Sequence, residues 1–237
     1  MANKNDLREQ RKGIVVNSKS KHQEKKLSRA MNTVRDRLSR EFEGIQLHHE
    51  SQWRLKHVVE KLSKRFPDVD FKYFFETSAM RPDGGILSMV SKKGNFFPIL
   101  ISEKKNQGTN DLRALEGKES QAKGNAIERL GKNVIGFRAV MKSEGIFPFV
   151  CFGDGCDFAD QSSILDRVVT IAQFGHLNKI YLHPQGDGAF DRGAFFFRVE
   201  EWTENEMADV CVEIARKSVY YYFSKHGREV FLDGTLI

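Results

Sequence analysis

The chain has 237 residues, of which 40% are hydrophobic and 30% charged, with a net charge of +6. That length suits one substantial α/β domain or two small ones, and no run of eighteen apolar residues is available to cross a membrane. The three cysteines, Cys151, Cys156 and Cys211, stand in apolar surroundings without zinc or redox spacing and read as reduced thiols of a cytoplasmic protein.

The charge is uneven. Residues 1–30 carry nine Lys/Arg and three Asp/Glu, which leaves 29 of each sign in the rest. The excess is therefore an N-terminal feature, and the N-terminus is polar and basic without an apolar signal region. Residues 1–26 read as a flexible basic arm, suited to a polyanion through salt-dependent phosphate contacts. The alternative is a tail that only solubilises.

From Leu27 the pattern becomes helical: Leu27, Met31, Val34, Leu38 and Phe42 recur every three or four residues, and Gly44 ends the run. A second helix is expected from Ser51 to Phe66, stopped by Pro67. Val69 to Phe75 has strand character. Ile86–Val90 and Phe96–Ile101 are short apolar runs joined by a polar Lys-Lys-Gly-Asn turn, which predicts a β-hairpin. Residues 106–123 show no period and read as a long connection. A helix follows from Ala126 to about Met141, then a nearly all-apolar strand at Phe147–Phe152, as in a central parallel strand. Ile164–Gln173 reads as a helix, Ile180–Leu182 and Ala194–Val199 as strands, and Glu204–Lys225 as a closing helix stopped by Gly227. The alternation implies an α/β fold: a mixed β-sheet core flanked by helices, in a single domain over 27–237.

The hairpin, 81–105, is the chemical centre. Closing it sets Asp83 across from Glu103 or Lys104, and strand alternation puts Glu103 and Lys105 on one face. Which face Asp83 shares depends on loop length or a bulge. Two neighbouring carboxylates repel unless a cation lies between them, and a hard divalent ion with oxygen ligands, Mg²⁺ beside phosphate, fits. A lysine there can stabilise charge on a phosphate or orient water. On spacing alone, a hairpin with a solvated charged end competes with this reading. Gln121 to Arg129 is the second candidate segment: Gly124 permits close backbone approach, Asn125 has the donor and acceptor for adenine, and Glu128 and Arg129 lie one turn on. Its alternative is a helix start, with Asn125 as cap and Glu128 completing a capping box.

Arg-Pro-Asp-Gly-Gly-Ile (81–86), Ser-Glu-Lys-Lys-Asn-Gln-Gly (102–108) and Gly-Asn-Ala-Ile-Glu-Arg (124–129) together resemble, in order and spacing, the EcoRI-type restriction endonucleases of the PD-(D/E)xK nuclease superfamily. The resemblance is close from about Thr77 to Phe152 and weaker to about Gly188. It implies a type II site-specific deoxyribonuclease that makes Mg²⁺-dependent double-strand cuts in DNA. It implies Asp83, Glu103 and Lys105 as catalytic residues, with metal held by Asp83, Glu103 and the Lys104 carbonyl. It also implies base recognition by Gln121, Ala122, Gly124, Asn125, Ala126, Glu128, Arg129 and Arg167, over an AATT core. Gln121 stands where the family has Met, and Ile164 replaces one of two arginines, so GAATTC, a variant hexamer and AATT alone stay open. A palindromic site calls for a homodimer. The family further implies 5′ overhangs and a cognate DNA methyltransferase. The competing readings are a repair or recombination nuclease with little sequence preference and an inactive DNA-binding relative. His48 and His49 lack metal spacing with acidic partners, Glu200, Glu201, Glu204 and Glu206 read as a solvated acidic patch, and Gln185–Gly188 reads as a turn.

Overall fold

The computed structural model describes residues 14–121, 125–159, 162–172, 177–183 and 193–232. Side chains at 14–17, 20, 106, 107, 125–129 and 169–172 lie outside that description. Ala122 and Gly124 of the expected recognition segment and the Gln185–Gly188 turn also lie outside the described residues.

Five strands form the main sheet: β1 (Gln46–Glu50), β4 (Gly85–Val90), β5 (Phe96–Gly108), β6 (Phe149–Gly155) and β7 (Ala194–Arg198), in the order β1-β4-β5-β6-β7. The first three pair antiparallel and the last three parallel, so the sheet is mixed. A two-stranded ribbon pairs β2 (Trp53–Arg54) with β3 (Ala79–Met80). The helices are α1 (Ile14–Glu41), α2 (Leu55–Arg65), α3 (Asn110–Leu115), α4 (Asn125–Val140), α5 (Ser163–Ala172) and α6 (Glu204–His226).

Both sheet faces are buried, and strand alternation sorts the core into two layers. Leu100, Val150, Phe152 and Phe196 pack with Leu27, Met31, Val34 and Leu38 of α1 and Met207, Cys211 and Ile214 of α6. Ile101, Phe149, Cys151, Phe195 and Phe197 pack with Leu130, Val134 and Phe137 of α4 and Ile164 and Val168 of α5. Helices therefore cover both faces of a single mixed sheet, the architecture of restriction-endonuclease-like folds.

Several expectations need correction. α1 starts at Ile14, so residues 14–26 of the expected arm are helical; Gln23 is buried and reaches Asp154 across the structure at 2.5 Å. The acidic patch is not merely solvated. Glu201 pairs with Lys26 at 3.0 Å, Glu204 with Arg29 at 2.6 Å, and Glu206 with Arg198 at 2.7 Å. Two of these pairs tie α6 and the turn before it to α1. Val69–Phe75 is not a strand, and Phe74 and Phe75 are exposed. The connection expected over 106–123 is shorter, because β5 runs on to Gly108 and α3 follows. Ile180–Leu182 is not a strand, although the Leu182 carbonyl accepts from Phe147 N–H at 2.8 Å.

Candidate active site

The hairpin turns at Ser91–Asn95, where Gly94 has φ +75° and its N–H donates to the Ser91 carbonyl at 2.8 Å. The register runs from Val90↔Phe96 to Gly85↔Ser102, with an irregularity between Leu87 and Ser88 that skips Ile99 on β5. Ahead of β4 the chain bends at Gly84-Gly85. Gly85 has φ +78°, and a Cβ there would lie 2.5 Å from His49 Nε2. A Cβ on Gly84 would meet Ser102 Oγ at 2.0 Å. Only glycine allows the chain to lie this close to β5 and β1. His49 Nε2 lies 2.8 Å from the Gly84 carbonyl, so this histidine braces the bend rather than binding a metal.

The bend delivers Asp83 to β5. Its N–H donates to Glu103 Oε2 at 3.3 Å, and its Oδ2 accepts the Lys104 N–H at 3.2 Å. Glu103 Oε1 accepts from Lys105 Nζ and from Asn133 Nδ2 of α4, the latter at 3.2 Å. Ile101, Glu103 and Lys105 thus share the α4 side of β5, while Leu100, Ser102 and Lys104 share the α1 side. The structure brings together Asp83, Glu103, the Lys104 backbone and Lys105. The Lys104 side chain turns away, into a buried ion pair with Asp154.

The electrostatics are unbalanced. Burial pushes the Glu103 carboxyl above its ordinary value; the Lys105 charge pulls it back, and Asp83 adds to the rise. Burial also raises Asp83, against the Lys105 charge and the Lys104 N–H. Asp83 is exposed as a residue, yet its carboxylate lies against the β5 backbone, which is where water is lost. Burial is the largest influence on Lys105 and would lower it, but the surrounding groups, Glu103 first and Asp83 among them, together outweigh it and hold the ammonium above its usual value. One attraction lifts Lys105 and fails to lower Glu103, so the site has two carboxylates for one ammonium. Among the described residues no group of three or more His, Cys, Asp or Glu is gathered to hold a metal. The donor set at this site is hard oxygen with an excess of negative charge, and it fits a divalent cation that retains water or phosphate ligands.

The other expected site residues are more distant or only partly described. Asn125, Ala126, Glu128 and Arg129 form the first turns of α4, with side chains outside the described set. Gln121 is exposed; its N–H donates to Asn110 Oδ1 at 2.7 Å and its carbonyl accepts from Asn110 Nδ2 at 3.3 Å. Arg167 is exposed on α5, which packs in the same layer as α4. Sequence reasoning missed Asn133 and Asn110. The only trace of Asn133 was its place eight residues after Asn125, on the same helix.

A mixed sheet with helices on both faces, in which an Asp ahead of β4 meets a Glu and a Lys of the central strand just past its last pair with β4, defines a nuclease of the restriction-endonuclease-like fold. Comparison with known proteins sharpens the class. The family described as restriction endonuclease EcoRI matches residues 10–228. The type II restriction enzyme RsrI of Cereibacter sphaeroides is 29% identical over 221 residues, covering 78% of this chain and 79% of its own. The type II restriction enzyme EcoRI of Escherichia coli is 28% identical over 234 residues, covering 84% and 83%. The chain belongs to the EcoRI restriction endonuclease family and is a type II site-specific deoxyribonuclease.

Proposed function

We propose that this enzyme cuts both strands of a short palindromic DNA site with an AATT core, GAATTC being the leading candidate, and leaves 5′ overhangs. The observation that carries the chemical part is the convergence of Asp83, Glu103 and Lys105 on the α4 side of β5. Asp83, Glu103 and the Lys104 carbonyl would hold Mg²⁺. When bound, the ion supplies charge to a phosphoryl oxygen and acidity to a water. The Lys105 ammonium, kept charged by Glu103, stabilises negative charge on the scissile phosphate or orients the water. Gln121, Ala122, Gly124, Asn125, Ala126, Glu128, Arg129 and Arg167 would read the bases. Asn125 suits adenine, which shows an acceptor at N7 and a donor at N6.

The AATT reading rests on the likeness of residues 124–129 to the family's segment. A palindrome read by one chain requires its mate, so the working form is a homodimer. Host DNA in the cytoplasm would need a methyltransferase of matching specificity. The test is digestion of phage DNA of known sequence with Mg²⁺, beside an EDTA control, followed by sequencing of the fragment ends. Fragments ending in one motif establish the site. A smear would mean a nuclease without sequence preference, and binding without cleavage an inactive relative.

A further inference from the structure

Resting on that reading of Glu103, we infer that Asn133 is a positioning residue that links the base-reading end of α4 to the catalytic carboxylate. Glu103 Oε1 has two donors, Lys105 from its own strand and Asn133 from α4 at 3.2 Å. Oε2 receives only the Asp83 N–H among the described hydrogen bonds. The pair of donors on Oε1 therefore sets the rotation of the carboxylate and turns Oε2 towards the Asp83 side. Lys105 cannot do this alone, because it is also the group that must meet the phosphate.

Asn133 is the donor whose place depends on DNA. Positions 125, 129 and 133 follow one another every four residues along α4, so the helix that begins in the recognition segment ends its second turn at Glu103. The other end of that segment is also fastened. The Asn110 side chain closes on both the N–H and the carbonyl of Gln121, and donates to Asp157 at 3.0 Å. Asn110 follows the last residue of β5 by two positions. Gln121 and Asn133, the described residues on either side of the recognition segment, are thus each held by an amide contact, one to the continuation of the catalytic strand and one to Glu103 on the strand itself. A shift of α4 on meeting the wrong base moves Asn133 relative to Glu103, and the carboxylate loses its orientation before chemistry. This makes Asn133 a determinant of rate rather than of affinity.

The experiment compares Asn133→Ala, Asn133→Asp and Glu103→Ala. Specific binding is measured with Ca²⁺ in place of Mg²⁺, and single-turnover cleavage with Mg²⁺ at saturating enzyme. Cleavage of the site found by fragment sequencing is compared with that of the same site carrying one changed base pair. Asn133→Ala should bind within about threefold of wild type and cleave about ten- to a hundredfold more slowly, the range for loss of one hydrogen bond to a charged group. Its preference for the correct site in the cleavage step should shrink. Asn133→Asp fills the same space but presents an acceptor to Glu103, so it should cleave no faster than the alanine variant. Near-wild-type cleavage by Asn133→Asp would mean that the residue only fills space and would overturn the inference. So would an equal fall in binding and cleavage, or no fall in either. Glu103→Ala separates the two readings: if it still cleaves, the site assignment fails, whereas an inactive Glu103→Ala beside a fully active Asn133→Ala removes the link alone.

Discussion

Asp154→Ala should be among the most damaging single substitutions outside the reacting groups. Asp154 is buried on the α1 side of β5, where it accepts from Lys104 Nζ, from Gln23 Nε2 at 2.5 Å and from the Trp202 N–H at 3.1 Å. Alanine would leave an ammonium and two neutral donors without their acceptor. Breaking a buried pair from one side costs about 3–5 kcal/mol. A ceiling follows from Lys104 itself, whose pKa burial already lowers from an ordinary 10.5 against the pull of Asp154. Neutralising such a lysine at pH 7 costs at most about 5 kcal/mol, at about 1.4 kcal/mol per pH unit. For a chain of this size the loss corresponds to a fall in Tm of roughly 6–20 °C. The unfolded variant binds more protons than the folded one, so its stability relative to wild type should recover by about 1.4 kcal/mol per pH unit between pH 7 and 9. Lys104→Met/Asp154→Leu should cost less than the sum of the two single changes. Chemical denaturation at pH 7 and 9 reads all of this. A loss below about 1 kcal/mol, or strict additivity in the double variant, would refute the reasoning.

Asp83→Ala and Lys105→Ala should each abolish Mg²⁺-dependent cleavage yet retain specific binding in Ca²⁺; wild-type turnover in either would remove that residue from the mechanism. Because burial raises both Asp83 and Glu103 in the metal-free protein, protons should compete with Mg²⁺ for the site at a higher pH than ordinary carboxylates near 3.8 and 4.5 would allow, so the Mg²⁺ concentration needed for half-maximal cleavage should climb as pH falls; a requirement unchanged down to those values would contradict it. The stability of the apoprotein should run with the opposite sign: the raised carboxyls contribute stability below their ordinary range and lose it as pH rises through the raised values, which denaturation without metal across that range would check. Gly108→Ala should be poorly tolerated, since its Cβ would lie 2.2 Å from the Asp154 carbonyl oxygen and 2.5 Å from Gly155 Cα where the parallel pairing of β5 with β6 ends; a loss under about 1 kcal/mol by thermal unfolding would show that the backbone yields easily.

How far the fold could be read depended on what each strand buries. Runs such as Ile86–Val90 and Phe149–Phe152 are apolar on both faces and stood out. β1, with the sequence Gln-Leu-His-His-Glu, is an edge strand with no apolar run, and its pairing to β4 is carried by the backbone. β5 looked finished at Ile101 because Ser102 to Lys105 are polar, although the parallel pairing with β6 holds them in the sheet. Phe74 and Phe75 misled in the other direction, being exposed where aromatic density suggested a strand. In the site, the meeting of Asp83, Glu103 and Lys105 was legible only when the family likeness was added to a spacing that alone fits a solvated hairpin end as well. The side on which Asp83 would fall was not, because it depends on the Gly84-Gly85 bend. Asn133 was invisible for the same kind of reason: nothing local to α4 says that its ninth residue faces Glu103.

The period of two along β5 explains how so negative a site is held in place. Glu103 and Lys105 face α4, where Asp83 adds the second carboxylate that Lys105 alone does not balance, while Lys104 between them faces α1 and is locked to Asp154. Glu103 and Asp83 repel each other, and the strain of that repulsion would be relieved by sliding or fraying the end of β5. Slippage by one residue would exchange the faces, putting Lys104 beside Asp83 and driving Glu103 and Lys105 into the α1 layer. That exchange would break the buried Lys104–Asp154 pair and strand Gln23 and the Trp202 N–H. The buried pair therefore opposes a slip of the strand, whatever its net contribution to the stability of the fold. The cation proposed for Asp83 and Glu103 would remove the repulsion that makes such a lock necessary.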